Sequence, residues 1–141
     1  MLTQAQVTLV QKTFAVIAPI ADDAAALFYR RLFELDPSLQ AMFKGDMSDQ
    51  RRKLMQMLTA AVKGLNHLDR LVPVVEDLGR RHAKYGVADA HYDTVGAALL
   101  WTLEKGLGSA FTPDAREAWA TVYGLLATTM KNAAACELVP A

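Results

Sequence analysis

Apolar residues recur along almost the whole chain at spacings of three and four, the period of a helix with one buried face. From about Asp49 to Leu65 the stripe is Leu54, Leu58, Ala61 and Leu65, with Gln50 one turn ahead and in register. Leu71, Val75 and Leu78 form another stripe, and His82 falls four residues further on in the same line. Pro73 reads as the opening of that segment, which ends around Gly86. Asp89 then caps a long helix through about Leu107, with Tyr92, Val95, Leu99 and Leu103 inward. Thr112-Pro113-Asp114 opens the last helix, which gathers Trp119, Val122, Leu126 and Met130 on one face. Nearer the start, Thr3 and Gln6 have capping-box spacing for a helix running to about Ala18, before Pro19. A second helix covers roughly Ile20 to Leu35. Asp36-Pro37 begins a short one, and Lys44 to Ser48 is a polar turn. No alternating strand pattern, repeat or Gly-rich phosphate loop interrupts the series, so the predicted fold class is all-α.

Composition narrows the setting. Residues 1–141 suit a single domain, and a 52% hydrophobic content leaves room for something bulky inside the core. Fifteen basic and fifteen acidic residues cancel, so no long-range field draws the chain to nucleic acid or an anionic membrane. Cys136 is the single cysteine, which forbids an intramolecular disulfide and suits a reducing compartment. The first residues lack the pattern of an export signal, and no apolar window reaches the roughly 18 residues of a membrane span. A cytoplasmic location is the resulting expectation.

Three polar residues intrude on apolar faces: Tyr29, Gln50 and His82. Either Phe28 or Tyr29 could lead the inward stripe of its helix. Each intruder has an ordinary reading as a core tyrosine bonded to a carbonyl, a wet glutamine at a helix start, or a core histidine with a partner. Together they invite another, because buried polar groups need partners and one bound ligand would satisfy all three. For His82 that ligand is a transition metal, the usual companion of a neutral imidazole. Zinc fits poorly, since no paired cysteines or HxxxH spacing are present, and His67 and His91 read as solvated residues at a turn and a helix start. A site with one histidine implies a metal that brings its other ligands, as haem iron does. The competing class is a small helical interaction module, using Arg51-Arg52-Lys53 and Arg80-Arg81 against an acidic partner.

The order of features resembles the globins over nearly the whole chain. Phe43 follows Pro37 by six residues, and the stretches Gln50-Arg51-Arg52-Lys53-Leu54-Met55 and Asp77-Leu78-Gly79-Arg80-Arg81-His82 are similar to the distal and proximal helices of that family. Thr94-Val95-Gly96, Leu107-Gly108-Ser109-Ala110-Phe111-Thr112-Pro113, Ala118-Trp119 and Tyr123-Gly124 are similar to neuroglobin. The likeness is greatest to single-domain bacterial globins of the Hell's Gate type, and extends to the haem domains of flavohaemoglobins. It implies a three-over-three helical sandwich around haem b, with a short or absent helix before the distal one. It also implies that His82 ligates the iron while Tyr29 and Gln50 face a bound gas. Leu54 becomes the apolar distal neighbour, Phe43 packs on the porphyrin, and Val87, Val95 and Leu99 line the pocket. Leu78 offers a carbonyl to His82, Tyr92 supports it, and Lys53 is a candidate for a haem propionate.

The resemblance further implies reversible binding of dioxygen, with nitric oxide and carbon monoxide as other ligands. Dioxygen on ferrous haem draws negative charge, so two donors would hold it tightly and slow its release by on the order of a hundredfold. Gln50 is a non-titrating amide and a weaker iron ligand than histidine. The resting iron should therefore be five-coordinate, or take water, hydroxide, a small anion or Tyr29, rather than a second imidazole. Oxygen scavenging, transport or sensing is the binding-protein reading. Nitric oxide dioxygenation is the enzyme reading, with a separate reductase expected because the chain stops at Ala141. One departure bears on peroxidase chemistry. The last-helix position where flavohaemoglobins carry a glutamate is Ala134, and Glu137 is the nearest acid, so the proximal push on an O–O bond should be weaker.

Overall fold

The computed structural model describes residues 2–43 and 45–138, the last three by their backbone alone. Six α-helices carry the fold: α1 (Gln4–Ile17), α2 (Ala21–Leu35), α3 (Met47–Gly64), α4 (Leu68–Lys84), α5 (Asp89–Leu107) and α6 (Pro113–Leu138). Short 3-10 turns at Ala18–Ile20, Pro37–Met42 and Gly108–Ala110 join neighbours. Among the described residues there is no strand, and no separate helix stands between the Pro37–Met42 turn and α3. The arrangement is an all-α, three-over-three sandwich, with α1, α3 and α4 in one layer and α2, α5 and α6 in the other.

The helix ends follow local chemistry. Thr3 and Gln6 form the reciprocal capping box at 3.1 and 2.9 Å. Asp46 caps α3 by accepting from the Ser48 backbone N–H, so this helix starts at Met47, slightly before the expected Asp49. Pro73 does not open α4 but lies inside it. Leu68 to Leu71 supply an earlier turn, secured by the backbone N–H groups of Arg70 and Leu71 donating to the His67 carbonyl. The carbonyl that loses a partner to Pro73 belongs to exposed Asp69, where water can replace it. Asp89 is likewise not the cap of α5. The Ala88 N–H donates instead to Nδ1 of His91 at 2.9 Å, and His91 is half-buried rather than solvated.

Packing is uneven among the helices. α2 buries Ala24, Ala25, Phe28, Tyr29 and Leu32, mainly against α5, while α4 packs closely along α6. Trp119 is sealed in the core, and its indole N–H donates to the Thr13 hydroxyl at 2.8 Å. α3 and α4, by contrast, touch each other sparingly. Within the 18 residues of α3 only Ala61 and Val62 are buried, although Leu54, Met55, Met57 and Leu58 are apolar. Along α4 the buried residues are Leu71, Val75 and Gly79, and the stripe continues into half-buried Leu78 and His82. Each helix leaves a large apolar face half-covered and the two touch little, which marks the space between them as the candidate crevice.

Candidate haem crevice

α4 places His82 in its last turn, where Nδ1 lies 2.8 Å from the Leu78 carbonyl. A carbonyl has no proton to give, so Nδ1 carries the proton and Nε2 keeps its lone pair. Among the described residues Nε2 has no hydrogen-bond partner. Burial and the nearby Arg81 charge push the imidazole below its ordinary value, against an opposing pull from the Leu78 carbonyl. The ring is therefore neutral near pH 7 and chemically suited to a metal. No group of three or more His, Cys, Asp or Glu side chains is assembled for a metal among the described residues. A metal at Nε2 must thus bring most of its own ligands.

Tyr29 sits in an aromatic nest. Its ring centroid is 5.1 Å from that of Phe28, 5.4 Å from Phe43 and 6.1 Å from Phe33, two of the pairs edge-on. Phe28 and Tyr29 are both buried, so the inward face of α2 is wide enough for both candidates. Burial raises the Tyr29 hydroxyl above its ordinary value, and the Gln50 side chain beside it offsets part of the rise. The hydroxyl keeps its proton and remains a donor. Gln50 is half-buried at the start of α3, and the two side chains do not form a well-aligned hydrogen bond with each other.

The remaining candidates divide. Phe43, Leu54, Leu78, Val87 and Val95 are partly buried apolar residues packed against the core. Leu99 is fully buried and, with Leu54, also borders a small apolar cavity of about 20 Å³ that reaches Phe14 and Trp119. Lys53 is exposed on α3. Tyr92 is buried, receives the Tyr123 hydroxyl on its carbonyl at 2.6 Å, and has the Lys131 ammonium 5.5 Å from its ring. Lys131 was absent from the sequence reading, because only the fold brings it over an aromatic face. Ala134 is half-buried, while the side chains of Glu137 and Cys136, and all of Lys44, lie outside the described residues.

These features fit a planar apolar cofactor with an iron centre. They offer apolar side chains, one neutral imidazole nitrogen without a partner among the described residues, and hydroxyl and amide donors. The interaction-module alternative finds three of its five cations already paired. Arg51 pairs with Asp22 at 3.1 Å, Arg52 with Asp49 at 3.2 Å and Arg81 with Asp77 at 3.2 Å. Among the described residues no helix is long and apolar enough to cross a membrane.

A family profile described as Globin matches residues 26–130. The chain is 31% identical over 130 residues to a flavohemoprotein of Bacillus subtilis (strain 168), covering 90% of this chain and 33% of that protein. It is 32% identical over 133 residues to a flavohemoprotein of Chromobacterium violaceum, covering 92% and 33% respectively. The chain thus spans about a third of the length of these relatives.

Depression of the His82 value carries a pH signature in the haem-free protein. The unfolded chain takes up the proton first, near the ordinary 6.5, so the contribution of the neutral ring is complete above that pH. It is lost as the pH falls towards the depressed folded value. Denaturation midpoints measured from about pH 7.5 down to about 5.5 should fall more steeply for the wild-type chain than for His82→Leu. Parallel profiles would show that the imidazole is not buried as described.

Proposed function

The chain belongs to the globin family, and we propose that it captures dioxygen tightly at a haem b held in the crevice between α3 and α4. Haem-based gas binding accompanies the family. The preference for dioxygen, the high affinity and the residue roles are our reading. The observation that carries it is His82, whose Nδ1 is committed to the Leu78 carbonyl and whose Nε2 is left free beside an apolar crevice.

When bound, haem would supply an iron able to take a small gas. The protein's part is to hold, orient and shield. His82 provides the protein ligand, with its ring fixed by Leu78. Phe43, Leu54, Val87, Val95 and Leu99 would supply apolar walls, Tyr92 would back the proximal side, and Lys53, exposed on α3, would meet a haem carboxylate. Tyr29 and Gln50 act on the gas side. Because burial keeps the Tyr29 proton in place, its hydroxyl donates to a diatomic ligand that gathers negative charge, and does little for neutral carbon monoxide. A hydrogen bond to such an acceptor contributes about 1.5–3 kcal/mol, roughly ten- to a hundredfold in affinity. The Gln50 amide adds a donor that does not titrate. Capture or scavenging follows more naturally from slow release than bulk transport does, and the single cysteine would suit a reducing, cytoplasmic setting.

The likeness to flavohemoproteins favours a second reading, nitric oxide dioxygenation. Nitric oxide and dioxygen would combine to nitrate, and a reductase would return one electron to the iron. Peroxidase chemistry has less support, since Ala134 carries no carboxylate and the nearest described charge on α6 is the Lys131 cation over Tyr92.

Stopped-flow measurement tests the main reading. Tyr29→Phe should release dioxygen at least about tenfold faster while carbon monoxide release changes far less. An unchanged oxygen release rate would remove Tyr29 from the site. The second reading requires nitrate to appear in proportion to nitric oxide mixed with the oxygenated protein, and it falls if none forms.

A further inference from the structure

Gly79 lies in the interior of α4, three residues before His82 and immediately after Leu78. Glycine there costs helix stability relative to alanine, since it has no side chain to pack and more backbone freedom to lose. It is also buried. A Cβ built at this position would stand 2.4 Å from the Met130 carbonyl oxygen, 2.6 Å from its Cα and 2.8 Å from its carbonyl carbon. All three atoms are backbone atoms of α6, so no side-chain rotation can relieve the contact. Gly64, on α3, would meet only the flexible side chain of Leu71, and Gly124, on α6, would meet nothing within 4 Å. The close approach at Gly79 is therefore a particular feature of the crossing of α4 and α6.

That crossing is where α4 is most firmly held, and the adjoining part of the same turn carries the Leu78 carbonyl and, three residues on, His82. From this juxtaposition we infer that Gly79 is a positioning residue for the iron ligand: its missing side chain lets the α6 backbone fix the depth at which α4 presents the His82 imidazole to the crevice. The inference rests on the proposed role of His82. Adding one methyl group would drive α4 away by roughly 1 Å, the difference between 2.4 Å and ordinary van der Waals contact near 3.4 Å. Leu78 and His82 move with the helix, because the 2.8 Å hydrogen bond between them is internal to it. The imidazole keeps its tautomer but loses its place. Nothing else along α4 provides this control, since Val75, one turn earlier, packs through a side chain that can adjust.

The test uses the haem-loaded protein and three variants: Gly79→Ala, Gly124→Ala as a helix-interior glycine in open space, and Val75→Ala as a loosened version of the same buried α4 face. Resonance Raman of the ferrous form reads the iron–imidazole stretch, and transfer to a haem acceptor reads retention. Gly79→Ala should shift the stretch and lose haem about 10- to 100-fold faster, the effect typical of disturbing the support of a metal ligand. Gly124→Ala should match wild type, and Val75→Ala should lower the denaturation midpoint without moving the stretch. An unshifted stretch in Gly79→Ala overturns the inference. So does a Gly79→Ala chain that never forms a folded holoprotein, since the glycine would then serve folding alone. If wild type itself shows no iron–imidazole stretch, the reading of His82 has failed rather than that of Gly79.

Discussion

The hydrogen bond from Nδ1 of His82 to the Leu78 carbonyl, 2.8 Å long and contained within one helical turn, sets the chemistry open to this molecule. It takes the only ring proton of a neutral imidazole and so points the remaining lone pair at the crevice. Desolvation acts in the same direction by disfavouring the charged ring. Neither effect needs a carboxylate partner, and a neutral carbonyl makes the imidazole only modestly electron-rich. On the proposed reading, this side of the site would suit holding a ferrous centre rather than driving bond cleavage. The Lys131 cation over Tyr92 is consistent with that bias.

The proposed gas side, around Tyr29, is organised differently. There the polar group is held by packing rather than by a hydrogen bond. Phe28, Phe33 and Phe43 surround the Tyr29 ring, so its hydroxyl has little freedom to swing away. The same burial that costs the phenol its easy ionisation keeps it a donor. Gln50, half-buried at the start of α3, sits close to that hydroxyl and brings a second donor to the same side. One side of the proposed site therefore fixes a lone pair, and the other gathers two donors.

Much of this was legible from spacing alone. The stripes of α3, α5 and α6 and the His82 register follow from periodicity, because the core needs one continuous apolar face per helix. Elements whose ends depend on a single polar contact were harder to place. Pro73 looks like a helix start because proline is favoured at the first position, but exposure of the Asp69 carbonyl lets α4 absorb it. Asp89 looks like a cap, but a histidine nitrogen two residues later takes the Ala88 N–H. Gly79 was hidden within a helical stripe, and its signal was a glycine standing where a larger apolar residue would be expected. Lys131 gave no signal at all, since its proximity to Tyr92 depends on how α5 and α6 cross.

His82→Gly, studied with and without added imidazole, tests the central claim most directly. Removing the side chain should abolish the iron–imidazole signature of the ferrous spectrum and weaken haem retention. Free imidazole diffusing into the vacated space should restore both. A glycine variant that keeps the wild-type spectrum and holds haem equally well in the absence of imidazole would contradict the account.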